Sequence, residues 1–518
     1  MSRSITTQEI SKHKTAEDLW LVVEGVVYDL TEFAPEHPGG AEVLLRCAGR
    51  DATASYSEVH APSLIRRSLP AAKRVGILDA RSITPQWARA AAASSRLASA
   101  PSDDGKPPLS TLISTHDFED VAERTLSAKA WAFYSSAATD LHTKRRNALA
   151  YSRIGLRPRI LRNVQSVSTA TTMLGQRMSV PIYASPTALV KLVHPEGEKG
   201  IGRACKRLGI PQTVSTQASF PIGEIFDAVR SGPPYGSGDG GVGAAAAADG
   251  DGALPIFFQL YVDKQRAKSE KLLAEAERLG VKAIFVTVDA PVPGKREADE
   301  RVQSDERLTT PMSGVRARND AKGGALGRIM GSFVDASLAW EDLPWLRRCT
   351  TLPIVLKGIQ TAMDARLAVA HGIDAIVLSN HGGRSLDTAP ASILVLLELQ
   401  RCCPDIFDAL EVYVDGGVAR GTDVFKALCL GARAVGIGRG FLYALNYGEE
   451  GVEKYIETPL SFLFRPVLKD ELEVTMRMCG VTHLSQVHPG LVNSSAVDHL
   501  VPASADHPYA RWRPKAQI

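Results

Sequence analysis

Residues 375–387 read AIVLSNHGGRSLD, a short apolar run followed at once by polar residues and two adjacent glycines. The run at 375–378 is typical of a short buried strand. His381 and Arg384 therefore lie just past its carboxyl end, where the glycines permit a sharp turn and a closely approaching ligand. A base beside a bidentate carboxylate binder could grip an α-substituted acid and deprotonate it. The alternative is a surface loop that carries a histidine and an arginine without a function. Other stretches of the sequence bear on the choice between the two interpretations.

The surrounding chain repeats one unit: a short apolar strand, a loop and an amphipathic helix. The predicted strands are 180–184, 210–215, 256–262, 283–288, 353–357, 375–378, 412–414 and 434–437. Helical patterns intervene, for example at 264–279, 361–370, 391–401 and 422–430. This alternation favours an α/β fold with a parallel sheet, and its length predicts a closed (β/α)8 TIM barrel. A doubly wound open sheet competes, but no G-x-G-x-x-G motif opens the first helix.

Composition divides the chain into blocks. A compact block covers residues 1–79, an Ala-, Ser- and Pro-rich linker covers 80–110, the barrel covers 111–490, and a tail covers 491–518. A helical stretch at 117–136 leads into the barrel. Within it, 231–252 is a low-complexity insertion that we predict to be disordered, and 293–331 is a charged, aperiodic stretch that we predict to be a mobile loop.

The bulk numbers exclude several classes of protein. Lys plus Arg total 60 against 57 Asp plus Glu, so no charge excess points to nucleic acid or to an anionic membrane. Seven scattered cysteines without a C-x-x-C pair suit a reducing compartment. No apolar run approaches the roughly 18 residues that span a bilayer, and no secretory signal opens the chain. A cytoplasmic location is expected, with the mitochondrial intermembrane space as the alternative.

Polar or ionisable residues follow nearly every predicted barrel strand. They are Thr187, Ser215, Gln259 with Tyr261, Thr287 with Asp289, Lys357, His381 with Arg384, Asp415, and Arg439. In a (β/α)8 barrel these ends converge on one face, where active sites lie. Lys357 could face an anionic ring, and Asp289 could orient His381 if the two meet. The glycines near Asp415 and Arg439 match the usual phosphate site of a barrel.

At this point a resemblance becomes specific. From about residue 117 to 487 the chain resembles the FMN-dependent α-hydroxy-acid dehydrogenase and oxidase family, which includes glycolate oxidase, mandelate dehydrogenase and flavocytochrome b2. The motifs that carry it are SPTAL (185–189), QLYV (259–262), VTVDAP (286–291), GKRE (294–297), LPIVLKG (352–358), LSNHGGR (378–384), VDGGV (414–418), GTDVFKALCLGA (421–432) and GIGRGF (436–441).

The resemblance implies a role for each matching position. His381 would be the catalytic base, paired with Asp289, and Tyr261 would hydrogen-bond the substrate hydroxyl. Arg384 would bind the substrate carboxylate, assisted by Arg296. Lys357 would stabilise the reduced flavin. FMN would be held by Ala188, Ser215, Gln259, Thr287, Lys357, Asp415, Gly416, Gly417, Gly438 and Arg439.

Three positions depart from the family pattern. Phe133 stands where the family usually has a tyrosine that touches the substrate carboxylate. Gln217 replaces an apolar or aromatic residue of the pocket for the substrate side chain, which could favour a more polar substrate. Ala419 replaces an arginine that helps to hold the phosphate, and the adjacent Arg420 is expected to point elsewhere.

Two of the histidines in the amino-terminal block, His37 and His60, are 23 residues apart. A heme with two imidazole ligands needs one histidine on each side of the ring plane. Solvent-exposed histidines are the alternative for such a pair. The context WLVVEGVVYDLTEFAPEHPGG, however, resembles the cytochrome b5 family over residues 5–79. That resemblance implies a small α+β domain that binds heme b and shuttles electrons.

A heme module ahead of an FMN barrel is the arrangement of flavocytochrome b2-type enzymes. The expectation is oxidation of an L-2-hydroxy acid, L-lactate or a related acid, with electrons passing from FMN to heme b and on to a cytochrome c-type acceptor. A homotetramer is expected from the resemblance. Two rivals stay open: an oxidase that uses oxygen and carries a vestigial heme domain, and a non-catalytic flavin- and heme-binding redox protein.

Overall fold

A computed structural model describes residues 3–37, 41–60, 64–65, 69–88, 105–232, 256–457 and 466–502. Within these ranges the chain forms two compact units, one that runs to Thr111 and one that begins at Leu112. None of the described helices combines the length and apolar character needed to span a bilayer.

The smaller unit is built on a mixed sheet. Its described strands, in spatial order, are Ser4–Ile5, Arg74–Leu78, Val26–Asp29, Asp18–Val23 and Lys14–Thr15. Glu24 and Gly25 join the central hairpin with φ angles of 51° and 75°, as a two-residue type I′ turn requires. Alternation along Asp18–Val23 sends Leu19, Leu21 and Val23 into one core and Val22 into a second core on the opposite face.

Short helices cover this sheet: Thr7–Ile10, Ala41–Cys47 and Thr53–Val59, with 3-10 turns at Ala34–Glu36, Ala71–Lys73 and Ala80–Ser82. The unit extends beyond the predicted boundary at residue 79. Trp87 packs against the core that contains Val22, and its indole nitrogen donates to the carbonyl of Gly49 at 3.2 Å. Of the predicted linker, residues 89–104 lie outside the described ranges.

The larger unit is a closed barrel of parallel strands. In order around the barrel, the described strands are Ile182–Ala184, Gln212–Ser215, Ile256–Leu260, Ile284–Thr287, Ile354–Ile359, Ala375–Leu378, Glu411–Asp415 and Ala434–Ile437. The barrel closes because the last strand pairs with the first, with Val435 opposite Ile182 and Ile437 opposite Ala184. The predicted TIM barrel and the small α+β unit before it are confirmed. All the predicted strands are present, with ends within two residues of the prediction.

Alternation along the strands explains why polar side chains collect at one end of the barrel. One inward layer is apolar and includes Tyr183, Phe257, Phe285, Val355, Val377 and Tyr413. Two residues further along each strand the chain faces inward again. Those next positions are Ser185, Gln259, Thr287, Lys357, Ser379 and Asp415. The carboxyl end of the barrel is therefore lined by hydrogen-bonding and charged groups, whereas Met173 and Met178 from a hairpin pack against the apolar layer.

Outside the stretch 293–331, the described helices of the larger unit are Thr115–Thr125, Ala128–Ser135, His142–Arg153, Gly197–Leu208, Ile222–Ser231, Arg266–Leu279, Leu343–Cys349, Ala362–Ala370, Ser392–Cys402, Ile406–Ala409, Gly421–Cys429, Arg439–Leu445, Gly448–Ile456 and Leu468–Met478. The helical stretch predicted at 117–136 consists of two helices, because the chain breaks at Leu126 and Ser127. The hydroxyl of Ser127 accepts from the amide of Ala130 and caps the second helix.

The stretch 293–331 was predicted to be aperiodic, and this prediction is wrong. The stretch contains the helices Glu297–Arg301 and Leu326–Met330 and a hairpin of Thr309–Thr310 with Val315–Arg316. The predicted tail also begins too early, since Val492–Asn493 pairs with Gly155–Leu156. The low-complexity insertion, apart from its first two residues, and residues 503–518 lie outside the described ranges.

Candidate active site

His381 lies in the turn after the strand Ala375–Leu378. Its φ of 60° is in the left-handed region, which few residues other than glycine adopt and which persists only where contacts hold it. Asn380 provides those contacts. Its Oδ1 accepts from the amide of Gly383 at 3.0 Å, and its side chain exchanges two hydrogen bonds of 2.8 Å with that of Asn147. Neither asparagine was identified from sequence, although Asn380 lies inside the quoted motif.

Asp289 orients the ring of His381. Its Oδ1 lies 2.9 Å from Nδ1, and its side chain is fully buried. Because a carboxylate only accepts, Nδ1 carries the proton and Nε2 presents a lone pair. Nε2 lies 3.3 Å from the hydroxyl of Tyr261. The structure thus brings together the three side chains that the sequence placed on three different strand ends.

The protonation states suit proton transfer. Burial lowers the pKa of His381 below its usual value, and the carboxylate of Asp289 opposes this shift. For Asp289, burial acts to raise the pKa, but Lys357 and His381 outweigh it and hold the pKa below its usual value. Burial raises the pKa of Tyr261 to about 12. At neutral pH the site therefore holds a neutral imidazole, an ionised carboxylate and a protonated phenol.

Lys357 is a buried cation between two carboxylates. Its Nζ donates to Ser379 Oγ at 3.0 Å and lies 3.4 Å from Asp415 Oδ2 and 3.9 Å from Asp289 Oδ2. Burial acts to lower its pKa, but Asp415 and Asp289 raise it above the usual value, so the ammonium stays charged. The next residue must be glycine, since Gly358 has a φ of 119° and a Cβ there would lie 2.5 Å from that of Asp289.

Arg384 and Arg296 form a cationic corner of the same cavity. Nη1 of Arg384 donates to the carbonyl of Phe133 at 2.7 Å, and its guanidinium lies 5.0 Å from the centre of the Phe133 ring. The guanidinium of Arg296 lies 5.9 Å from that ring. Burial lowers the pKa of both arginines, and each lies among other cations. An anionic group placed between them would relieve that repulsion.

The structure bears on the departure at Phe133. The side chain is buried and lines the cavity, but it offers no hydroxyl to an anion. Tyr134 does not replace it, because its hydroxyl donates to the carbonyls of Ala188 and Leu189 at 2.9 and 2.7 Å. The cationic corner therefore lacks the tyrosine hydroxyl that the family pattern would supply.

A chain of hydrogen bonds crosses three neighbouring strands beside this corner. Ser215 Oγ donates to Gln259 Oε1 at 2.9 Å, and Gln259 Nε2 donates to Thr287 Oγ1 at 2.9 Å. These three side chains and Ala188, all predicted to contact FMN, line one cavity of about 290 Å³ together with His381 and Lys357.

Glycines open the other end of the cavity. Gly417 has a φ of 83°, and a Cβ there would lie 2.6 Å from the backbone of Asn147. Arg439 donates to the carbonyls of Tyr134 and Gly382 at 2.9 and 3.1 Å. Gly416, Gly438 and Ala419 also line this end. Lys144 lines it as well and was missed by the sequence, because its helix precedes the barrel.

Arg420 does not compensate for Ala419. Its Nη1 forms an ion pair of 2.7 Å with Glu471 Oε1, so it points elsewhere, as predicted. The glycine-lined end of the cavity thus keeps Arg439 but lacks the second arginine of the family pattern.

Gln217 lines the cavity, but its side-chain nitrogen already has a hydrogen-bond partner in the protein. Its Nε2 donates to the carbonyl of Met330 at 2.6 Å. The side-chain nitrogen therefore needs no partner from the substrate, and the preference for a more polar substrate stays a prediction. The protein satisfies the amide nitrogen from the stretch 293–331.

The residues that line the barrel cavity fit a flavin mononucleotide. Buried oxygens without a hydrogen-bond partner among the described residues include Asp415 Oδ1 and Ser185 Oγ. A buried, charged lysine beside them suits a ring that becomes anionic on reduction. The glycine-lined end with Arg439 suits a phosphate.

The two histidines of the smaller unit also fit their cofactor. His37 follows the 3-10 turn Ala34–Glu36, and His60 follows the helix Thr53–Val59, so each lies on its own short element, as expected. Their ring centres are 6.0 Å apart. Since metal–imidazole nitrogen bonds are about 2 Å long, two rings that flank one iron have centres roughly 6 Å apart. Residues 38–40 of the motif lie outside the described ranges.

Comparisons with known proteins match both regions of the chain. Residues 122–494 match the family model of FMN-dependent dehydrogenases, and residues 6–79 match that of cytochrome b5-like heme/steroid binding domains. L-lactate dehydrogenase (cytochrome) from Saccharomyces cerevisiae is 40% identical over 505 residues, which is 96% of this chain and 80% of the yeast protein. 2-Hydroxyacid oxidase 1 from Homo sapiens is 37% identical over 396 residues, 75% of this chain and 98% of the human protein.

Solved structures give the same answer. The flavin-binding domain of baker's yeast flavocytochrome b2 is 41% identical with a TM-score of 0.61, covering 76% of this chain and 90% of that one. Mandelate oxidase with (S)-4-hydroxymandelic acid is 31% identical with a TM-score of 0.63, covering 74% and 98%. The chain therefore belongs to the FMN-dependent dehydrogenase family and, with its cytochrome b5-like domain, is an oxidoreductase similar to L-lactate dehydrogenase (cytochrome).

Proposed function

We propose that this protein oxidises an L-2-hydroxy acid, L-lactate or a close relative, to the 2-oxo acid and passes the electrons through heme b to a cytochrome c-type acceptor. One observation carries the proposal: an oriented base, a phenol and a cationic corner converge on one cavity beside the buried Lys357. These are the groups needed to grip a hydroxy acid by its hydroxyl and its carboxylate.

His381 Nε2 and the Tyr261 hydroxyl would act on the reacting carbon and its hydroxyl group. Their separation of 3.3 Å lets one small group contact both. Nε2 would take a proton from the substrate, and Asp289 would stabilise the imidazolium that forms. Whether the proton comes from carbon or from the hydroxyl stays open. FMN, when bound, supplies an acceptor for two electrons that can release them singly.

Arg384 and Arg296 would fix the substrate carboxylate. Their guanidinium groups flank the same aromatic ring, at 5.0 and 5.9 Å from its centre. A bidentate contact from Arg384 would set the substrate's orientation relative to His381. Gln217 and Phe133 would line the pocket and contact the substrate. We therefore expect this protein to differ from its relatives in the substrate side chain that it accepts.

We assign FMN to the strand-end residues. Ser215, Gln259 and Thr287 would contact the ring, with the backbone of Ala188. Lys357 would supply a positive charge to it, and Asp415, Gly416, Gly417, Gly438 and Arg439 would hold the ribityl phosphate. Because Ala419 leaves one cation fewer than usual at this end, looser cofactor binding is expected.

His37 and His60 would hold heme b through their imidazole rings. A heme held by two histidines would supply one-electron transfer and would not bind oxygen. A cytochrome c-type protein is the proposed acceptor, and a homotetramer the proposed assembly. The cytosol and the mitochondrial intermembrane space both stay predictions for its location.

The test compares electron acceptors. The full-length protein with both cofactors is given a panel of 2-hydroxy acids, including lactate, glycerate, malate and mandelate. Cytochrome c reduction and hydrogen peroxide formation are then measured in parallel. Cytochrome c reduction well above peroxide formation is expected. Peroxide as the main product would favour an oxidase, and no flavin bleaching by any acid would favour a non-catalytic redox protein.

A further inference from the structure

A buried lysine ties the stretch 293–331 to the helix Ala128–Ser135. Nζ of Lys129 lies within hydrogen-bonding distance of four oxygens, which share its three hydrogens: Asp299 Oδ1 at 2.6 Å and the carbonyls of Asp299, Val302 and Gly324 at 2.7, 2.9 and 2.8 Å. The lysine side chain is 10% exposed and that of Asp299 is 0% exposed. A buried ion pair is tolerated only when further hydrogen bonds satisfy it, and here the backbone carbonyls do so.

Asp299 extends the connection towards the active site. Its second oxygen, Oδ2, accepts from the amide of Gly327 at 2.9 Å. Gly327 packs so closely on Arg296 that a Cβ there would lie 2.6 Å from Arg296 Nη1. The same carboxylate therefore fixes both sides of Arg296: the helix Glu297–Arg301, which begins directly after it, and the glycine that backs its guanidinium.

The helix Ala128–Ser135 also carries the ring that Arg296 faces. Lys129 and Phe133 are four residues apart, which places them on one face of this helix. The lysine thus fixes the stretch 293–331 one turn away from the ring that lies 5.9 Å from the Arg296 guanidinium. A third attachment is the hydrogen bond from Gln217 to Met330.

We propose that Lys129 is a positioning residue for Arg296. By holding Asp299 and three carbonyls of the stretch, it keeps the Arg296 guanidinium in the cationic corner, next to Arg384. This inference rests on the proposed function, because it assumes that the corner binds the carboxylate of a 2-hydroxy acid. No positional feature of the sequence marks Lys129, since its partners are at least 170 residues away.

The test is Lys129→Met in the full-length protein with both cofactors. Methionine keeps an unbranched apolar side chain, one atom shorter, and removes the charge and the donors. The KM for L-lactate is expected to rise roughly tenfold, with a smaller change in kcat, because a shifted Arg296 weakens binding of the carboxylate. The Kd of oxalate, read from the flavin absorbance, is expected to rise by a similar factor. FMN content is expected to stay unchanged.

Lys426→Met is the matched control. Lys426 is also a buried lysine of the barrel unit, and its Nζ donates to the carbonyl of Tyr151 at 2.9 Å, outside the cavity. It is expected to lose stability without a change in KM or in oxalate binding. Asp299→Asn is the second variant should Lys129→Met fail to fold, and it is expected to raise KM in the same direction.

A KM and an oxalate Kd within twofold of wild type in both Lys129→Met and Asp299→Asn would overturn the proposal. Trypsin cleavage at the exposed Arg301 and Arg307 adds a readout that needs no turnover. Faster cleavage in Lys129→Met than in Lys426→Met is expected. Equal cleavage rates would contradict the proposal that Lys129 holds the stretch 293–331 in place. If wild type reduces no flavin with any hydroxy acid, the proposed function fails, while cleavage still reports on Lys129.

Discussion

The two ring nitrogens of His381 have separate tasks in the proposed reaction. Nδ1 is held by Asp289, and Nε2 lies beside the Tyr261 hydroxyl, where the substrate would bind. Only the neutral ring can accept a proton, so the rate must fall as the pH drops through the pKa of His381. Because burial lowers that pKa, the acidic limb of kcat/KM is expected below pH 6.5, the usual histidine value.

Replacing Asp289 with Asn tests the sign of this argument. The carboxylate opposes the effect of burial, so its removal is expected to lower the pKa of His381 further and to move the acidic limb to lower pH. The rate of flavin reduction should also fall, by roughly 10²-fold or more, because the imidazolium loses its partner. Rates of flavin reduction across pH 4.5–8 would measure both effects. A limb that moves to higher pH would contradict the assignment.

Phe133→Tyr asks what the missing hydroxyl costs. The ring lies beside both guanidinium groups, so a hydroxyl there is expected to reach a bound carboxylate. One hydrogen bond contributes about 0.5–1.5 kcal/mol, so KM for L-lactate should drop about two- to tenfold. Steady-state kinetics with lactate and with mandelate would show it. A higher KM for both acids would mean that the pocket has no room for the hydroxyl group of tyrosine.

At the scale of elements, the stretch 293–331 closes the substrate side of the cavity through Gln217 and Met330. Since the protein already satisfies the amide nitrogen, Gln217→Leu is expected to change the lactate-to-malate preference by less than the roughly tenfold that an unpaired buried amide would produce. Stability should fall by about 1–3 kcal/mol, because the Met330 carbonyl loses its donor. Competition assays and thermal unfolding measure the two effects. A larger shift in preference would restore Gln217 as the specificity determinant.

The regular elements were predictable because their signals are local. The strand Ala375–Leu378 and the helix Ala362–Ala370 follow from short apolar periodicity and from turn residues around them. The polar strand ends followed from the rule that parallel strands of a barrel end on one face. What could not be predicted depends on distant partners. The Met330 carbonyl that satisfies Gln217 lies 113 residues away, and a break as short as Leu126–Ser127 leaves the helical pattern almost intact.

At the scale of the whole molecule, two compact units would perform two half-reactions. His60→Ala is expected to abolish the low-spin bis-histidine heme spectrum and cytochrome c reduction, because the iron loses one axial ligand. Flavin reduction by lactate should remain near wild type, since each unit has its own core. Optical spectra and anaerobic flavin bleaching test both parts. An unchanged heme spectrum in His60→Ala and in His37→Ala would contradict the ligand assignment.

The most direct test of the central claim is the rate of flavin reduction by L-lactate in the absence of oxygen, compared between wild type and His381→Gln. Glutamine keeps a polar side chain of similar reach but cannot accept the proton, so the rate should fall by about 10²–10⁴-fold while FMN stays bound. FMN content, measured from the absorbance of both proteins, is the control. A variant that reduces flavin at nearly the wild-type rate would show that His381 is not the base.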